Sequence, residues 1–81
     1  MKGYRWYVNV GVFGRHSPTD RTFATIEDVR QDAERNYGIS RECYGIDLVD
    51  DNEDGWIDVL ESIQTTEKIE WIDHEGYPYF D

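Results

Sequence analysis

Four things are scarce in this chain of 81 residues, and each scarcity excludes something. There is one cysteine, Cys43, so no disulfide can close within the chain and no second thiolate can complete a cysteine metal site. There are two prolines, Pro18 and Pro78, and no repeat, low-complexity tract or linker, so one continuous domain over residues 1–81 is expected. No apolar run approaches the length that spans a bilayer, and Met1-Lys2-Gly3-Tyr4-Arg5-Trp6 lacks the apolar stretch of a secretory signal. With the lone thiol, this leads to the expectation of a cytoplasmic protein. Finally, cations almost vanish from the second half, where Lys68 is the one Lys or Arg after Arg41.

The same scarcities argue against an enzyme. A chain this short builds one core and leaves room for little more than a shallow cleft. His16 lies between Arg15 and Ser17, and His74 between Asp73 and Glu75, with no His-Glu-x-x-His spacing around either, so both are expected at the surface. Gly11-Val12-Phe13-Gly14 lacks the Lys-Ser/Thr and the helix start of a phosphate loop. Carboxylates are so numerous that finding two together says nothing about acid–base chemistry. No catalytic residue is assigned, and Cys43 is expected to be a buried structural thiol.

Apolar and aromatic residues are plentiful: 38% hydrophobic and 15% aromatic, too much for a disordered acidic tail. The run Tyr4-Arg5-Trp6-Tyr7-Val8-Asn9-Val10-Gly11-Val12-Phe13 alternates with period two and predicts a strand, with Tyr4, Trp6, Val8, Val10 and Val12 on one face. Residues 14–22 carry turn chemistry and read as a loop. Residues 25–37 predict a helix. Thr25 is its cap, Glu27 and Asp28 lie in its first turn, Ile26, Val29, Ala33 and Tyr37 form its apolar stripe, and Gly38 stops it.

Beyond Arg41 the period returns to two. Three strands are expected around Ile46 and Leu48, Ile57 and Val59, and Ile69 and Trp71, with a short edge at residues 77–80. A helix over 56–64 is the rival reading of the middle segment. The expected fold is α+β: an N-terminal strand, one helix, then a three- to four-stranded antiparallel meander packed on the helix.

The charge divides with the pattern. Residues 1–41 hold seven Lys and Arg against five Asp and Glu; residues 42–81 hold one against thirteen, and the whole chain carries −10. Solubility alone does not require halves this different. If Ile46, Leu48, Ile57, Val59, Ile69 and Trp71 face the helix, the other face of the meander carries Asp47, Val49, Trp56, Asp58, Leu60, Glu70 and Ile72, flanked by Asp50, Asp51, Glu53 and Asp54 in a turn. Carboxylates set among large apolar groups suit docking onto a basic protein surface: charge steers the encounter and the apolar anchors hold it. Basic grooves are typical of nucleic-acid-binding enzymes, which neutralise phosphates with Lys and Arg.

In size, charge and aromatic content the chain resembles, in type, the small acidic inhibitors of phages and mobile elements. These include DNA mimics of the anti-restriction and anti-CRISPR kind and the immunity proteins of toxic nucleases. That resemblance implies a binding inhibitor that occupies a basic groove, and the chain's acidity argues against direct binding of DNA, RNA or an anionic membrane. A structural or assembly protein with a solvated acidic face is an alternative.

A further alternative lies in Asp50-Asp51-Asn52-Glu53-Asp54-Gly55-Trp56-Ile57-Asp58-Val59-Leu60-Glu61, which meets the loop pattern D-x-[DN]-x-[DN]-G-x5-E. The segment resembles the EF-hand calcium loop. The resemblance implies side-chain oxygens from Asp50, Asn52 and Asp54, the Trp56 carbonyl, Asp58 directly or through water, and a bidentate Glu61 around Ca2+. The flanks depart from that family. Residues 41–46 alternate like a strand, Ser62, Thr65 and Thr66 stand where an exit helix needs apolar residues, and no second loop is present. The same residues otherwise form an acidic hairpin turn.

Overall fold

The N-terminal strand carries Tyr4, Trp6 and Val8 on one face and Tyr7 on the other, side chains suited to a sheet covered on both sides. The computed structural model describes residues 1–11 and 14–69. Strand β1 (Lys2–Asn9) is flanked by the short β2 (Arg15–His16) and by β3 (Gly45–Asp51), and β4 (Ile57–Gln64) pairs with β3. The order is β2-β1-β3-β4, with every pairing antiparallel. Beyond β2 the chain borders β1 again at Phe23, which exchanges both backbone hydrogen bonds with Tyr4.

Helix α1 (Ile26–Arg30) starts where Thr25 Oγ1 accepts the Asp28 amide at 3.1 Å, as its sequence predicts. It continues as a wider π-helical segment, Gln31–Asn36, and ends at Gly38, whose φ of 70° is open to glycine at little cost. The wider turn brings Asp32 inward, and this buried carboxylate accepts the Trp6 indole N–H at 2.9 Å and the Asn36 amide at 2.9 Å.

The core lies between this helix and the β1–β3 part of the sheet. Trp6, Val8, Val10, Phe23, Val29, Ala33, Ile39, Tyr44 and Ile46 are buried together, and Ile26, Tyr37 and Cys43 pack at their margin. Trp6 meets Tyr37 and Tyr44 edge-on, with centroids 5.1 and 6.0 Å apart. Each fully buried side chain of this kind contributes about 1.5–3 kcal/mol.

The α+β architecture, the helix stripe and the strand character of residues 57–64 agree with the sequence reading. Three expectations are corrected. Residues 14–22 contain β2 rather than loop alone, because Asn9 pairs with Arg15 and Val8 with His16. His16 is consequently half-buried. Ile57 and Val59 do not face the helix. Five residues, 52–56, separate β3 from β4, so Asp50 lies opposite Asp58, Val49 opposite Val59 and Asp51 opposite Ile57. Directly opposed residues share a face. With Ile46 towards the helix, that register sends Ile57 and Val59 to the opposite side. Val12 and Phe13, the strand around Ile69 and Trp71 beyond its first residue, and the edge at 77–80 lie outside the described residues.

Candidate protein-binding surface

The hairpin of β3 and β4 carries most of the residues singled out by sequence, but it distributes them over three places. Asp47 is withdrawn from the surface. It points to the side of the sheet away from the helix, is 8% exposed, and accepts Arg15 Nη2 at 3.0 and 3.3 Å. Arg15 is itself stacked on Tyr7, with its guanidinium carbon 3.7 Å from the ring centroid. Tyr7 lies directly over Gly45, where a β-carbon would fall 2.2 Å from the ring. The Asp47 charge is therefore answered within the chain, and the single face expected to unite Asp47, Asp58 and Leu60 is not formed.

The second place is the turn. Asn52 N–H donates to the Trp56 carbonyl at 2.9 Å, Gly55 N–H to the Asn52 carbonyl at 3.2 Å, and Trp56 N–H to Asp54 Oδ1 at 3.1 Å. Two like charges, Asp50 and Asp58, stand directly opposite one another at its base. Each has a local counterweight. The Met1 amino group donates to Asp50 at 2.9 Å, and the Asn52 side-chain amide donates to Asp58 at 3.1 Å. Asp51 accepts Thr22 Oγ1 at 3.2 Å. Glu53 and Asp54 stand exposed at the tip.

The third place is β4. Its register against β3 slips twice: Val49 lies opposite Val59 but Leu48 opposite Glu61, and Asp47 lies opposite Ser62 but Ile46 opposite Gln64. Leu60 and Ile63 are the extra residues of two bulges, which bend the strand and break its alternation. Trp56 is 70% exposed, Val59 57%, Leu60 47% and Ile63 38%, with Asp58 and Glu61 exposed among them. Along this stretch carboxylates and large apolar side chains are both exposed, but Asp58 and Glu61 lie on the helix side of the sheet, opposite Asp50 and Leu48, and Val59 lies on the other side, opposite Val49. Glu70 and Ile72, assigned to the same surface by sequence, lie outside the described residues.

Comparison with protein-family models, curated proteins and solved structures gives no match to this chain. The reading of the surface therefore rests on its own geometry.

The twelve-residue calcium pattern takes the hairpin form. Asp50 belongs to β3, Asp58 and Glu61 belong to β4, and no helix enters or leaves the segment. An EF-hand closes when its twelfth residue folds back onto the first. Here the ladder holds Glu61 opposite Leu48, along the strand and away from the turn. Among the described residues no group of three or more His, Cys, Asp or Glu side chains is placed to share a metal ion. In this arrangement the residues do not fit the EF-hand cage.

Sequence reasoning missed a polar cluster where the helix meets β3. Tyr44 donates its hydroxyl to Glu34 Oε2, Arg41 Nε donates to the same oxygen at 3.1 Å, and Arg30 donates to the Tyr44 hydroxyl at 3.1 Å. The Tyr44 hydrogen bond, and next the Arg41 one, hold the Glu34 carboxyl below the usual carboxylate range. Burial, and then the bond to Glu34, push the Tyr44 hydroxyl above its ordinary value. Arg41 thus pairs with a local acid of the helix. The tyrosine was invisible because Tyr44 reads simply as the start of an alternating strand. Among the described residues no helix is long and apolar enough to cross a membrane.

Proposed function

We propose that this chain is a binding protein that inhibits a basic, nucleic-acid-binding partner by occupying its cationic groove, and that it acts through the β3–β4 hairpin without catalysis. The observation that carries the reading is the composition of one exposed stretch. Glu53, Asp54, Asp58 and Glu61 alternate along the chain with Trp56, Val59, Leu60 and Ile63, all exposed, with Asp58 and Glu61 on one face of β4 and Val59 on the other, and residues 42–67 contain no Lys or Arg to neutralise the acids. A merely soluble face has no use for four large apolar groups, each forgoing part of the roughly 1.5–3 kcal/mol that full burial would give. A groove that takes in the hairpin's edge meets both faces: the carboxylates take positions a phosphate backbone would fill, and Trp56 with its neighbours supplies the contact energy.

The surface differs from the one drawn from sequence, since Asp47 drops out and Glu61, Val59 and Ile63 join. The test follows from that difference. The full chain, immobilised, is expected to retain nucleic-acid-binding proteins from a cell extract at low salt, and both duplex DNA and raised salt should release them. A variant with Glu53, Asp54 and Asp58 replaced by Lys should retain its circular dichroism spectrum and lose the capture. Retention that DNA does not compete, or that survives the charge reversal, defeats the proposal.

A further inference from the structure

The hairpin's outer strand raises a question that charge alone does not answer: what the backbone of β4 is for. Among the described residues, β4 pairs with β3 along one edge and with nothing along the other. An uncovered edge offers a row of N–H and C=O groups to any extended segment, a liability that sheets commonly blunt with charge, bulges or a covering element. Here Leu60 and Ile63 mark bulges, but the stretch from Ile57 to Val59 pairs regularly with Asp51 to Val49, and among the described residues its outer groups have no partner strand.

The nature of an occupant follows from what this edge repels. A second copy is disfavoured: each chain carries −10, and a β4–β4 pairing would bring Asp58 and Glu61 of both copies, together with the acidic turns, into one seam and would have to match bulge against bulge. A neutral strand gains nothing from the flanking carboxylates. An extended segment alternating Lys or Arg with apolar residues satisfies both features at once: its cations face Asp58, Glu61 and the turn acids, and its apolar residues meet Trp56, Val59 and Leu60.

We infer that β4 takes up such a cationic β-strand from the partner, adding it as a fifth strand beside Ile57 to Val59. This deepens the proposed function, on which it rests, by assigning the contact to main-chain pairing as well as charge. Backbone bonds give the complex its geometry, and the carboxylates select the partner by charge.

Two synthetic peptides separate the contributions. The first alternates lysine with valine; the second has the same sequence with alternate backbone nitrogens methylated, which keeps every charge and removes the edge hydrogen bonds. With the full chain, the unmethylated peptide is expected to bind, to slow hydrogen exchange of amides in residues 56–59, and to weaken at least about tenfold on methylation. Replacing Asp58 and Glu61 by Lys should abolish binding of both. Equal affinity for the two peptides, or binding without protection at 56–59, overturns strand addition while leaving the acidic-surface reading intact. Failure of the unmethylated peptide to bind overturns it as well, and the DNA-competed capture above then decides separately whether the acidic surface has a basic partner. A dimer forming through β4 in the absence of peptide would also overturn it.

Discussion

Strands β1 and β4 have the same length and antiparallel neighbours, yet they live in different surroundings. From Trp6 to Val8 every residue of β1 is buried, while in β4 the run from Asp58 to Ile63 is exposed throughout. Hydrophobicity does not account for the contrast, since β4 offers Ile57, Val59, Leu60 and Ile63. Position does. β1 lies between two strands and under the helix, whereas β4 lies beyond the helix's reach and its register turns Ile57 and Val59 to the other side. A strand's apolar residues stabilise the fold where topology gives them a partner and are free for another purpose where it does not.

The contrast can be broken most directly in the core. Ile46→Ala should lower stability by about 2–5 kcal/mol through lost burial and the cavity left behind. Leu60→Ala, a deletion of similar size on β4, should change it by no more than about 0.5 kcal/mol. Urea unfolding of the two variants decides the matter, and equal losses would mean that β4 contributes to the core after all. The carboxylates give a second, smaller comparison. Asp47→Ala removes the acceptor of Arg15, whose half-exposed side chain can turn to water, and should cost about 0.5–1.5 kcal/mol, whereas Asp58→Ala at the exposed hairpin should stay within about 0.5 kcal/mol. Thermal melts at neutral pH read both.

The smallest effect sharpens the comparison through pH. Glu34 titrates below its unfolded value, so its contribution is fully present above the unfolded carboxylate pKa, about 4.3, and is lost as pH falls through the lower folded value. Wild type should therefore exceed Glu34→Gln in melting temperature near neutrality, with the gap closing as the solution is acidified below about pH 4. A gap that does not narrow would remove the charge of Glu34 from the account.

Much of this contrast was legible from residue order, and some was not. Thr25, the Ile26-Val29-Ala33-Tyr37 stripe and Gly38 specify their helix locally, because caps, spacing and a left-handed stop need no distant partner. The strand character of 57–64 was likewise carried by alternation. Which face β4 presents was not, for it depends on the parity of a five-residue turn and on bulges at Leu60 and Ile63 that no local pattern announces. The fate of Asp47 was hidden for a related reason: its partner Arg15 lies 32 residues away, on a short strand that reads as loop. Composition shows that residues 53–63 mix acidic with apolar side chains; it does not show which face each of them takes.

Tyr7 over Gly45 has a consequence for how this sequence can vary. Any side chain at position 45 must displace the ring, which removes the platform on which Arg15 rests and loosens the hold of Arg15 on Asp47. Four residues from three strands thus form one heritable unit, in which a change at one is tolerated only alongside changes at the others. The exposed side chains of β4 lie outside this unit, so substitution there leaves the sheet behind it fixed.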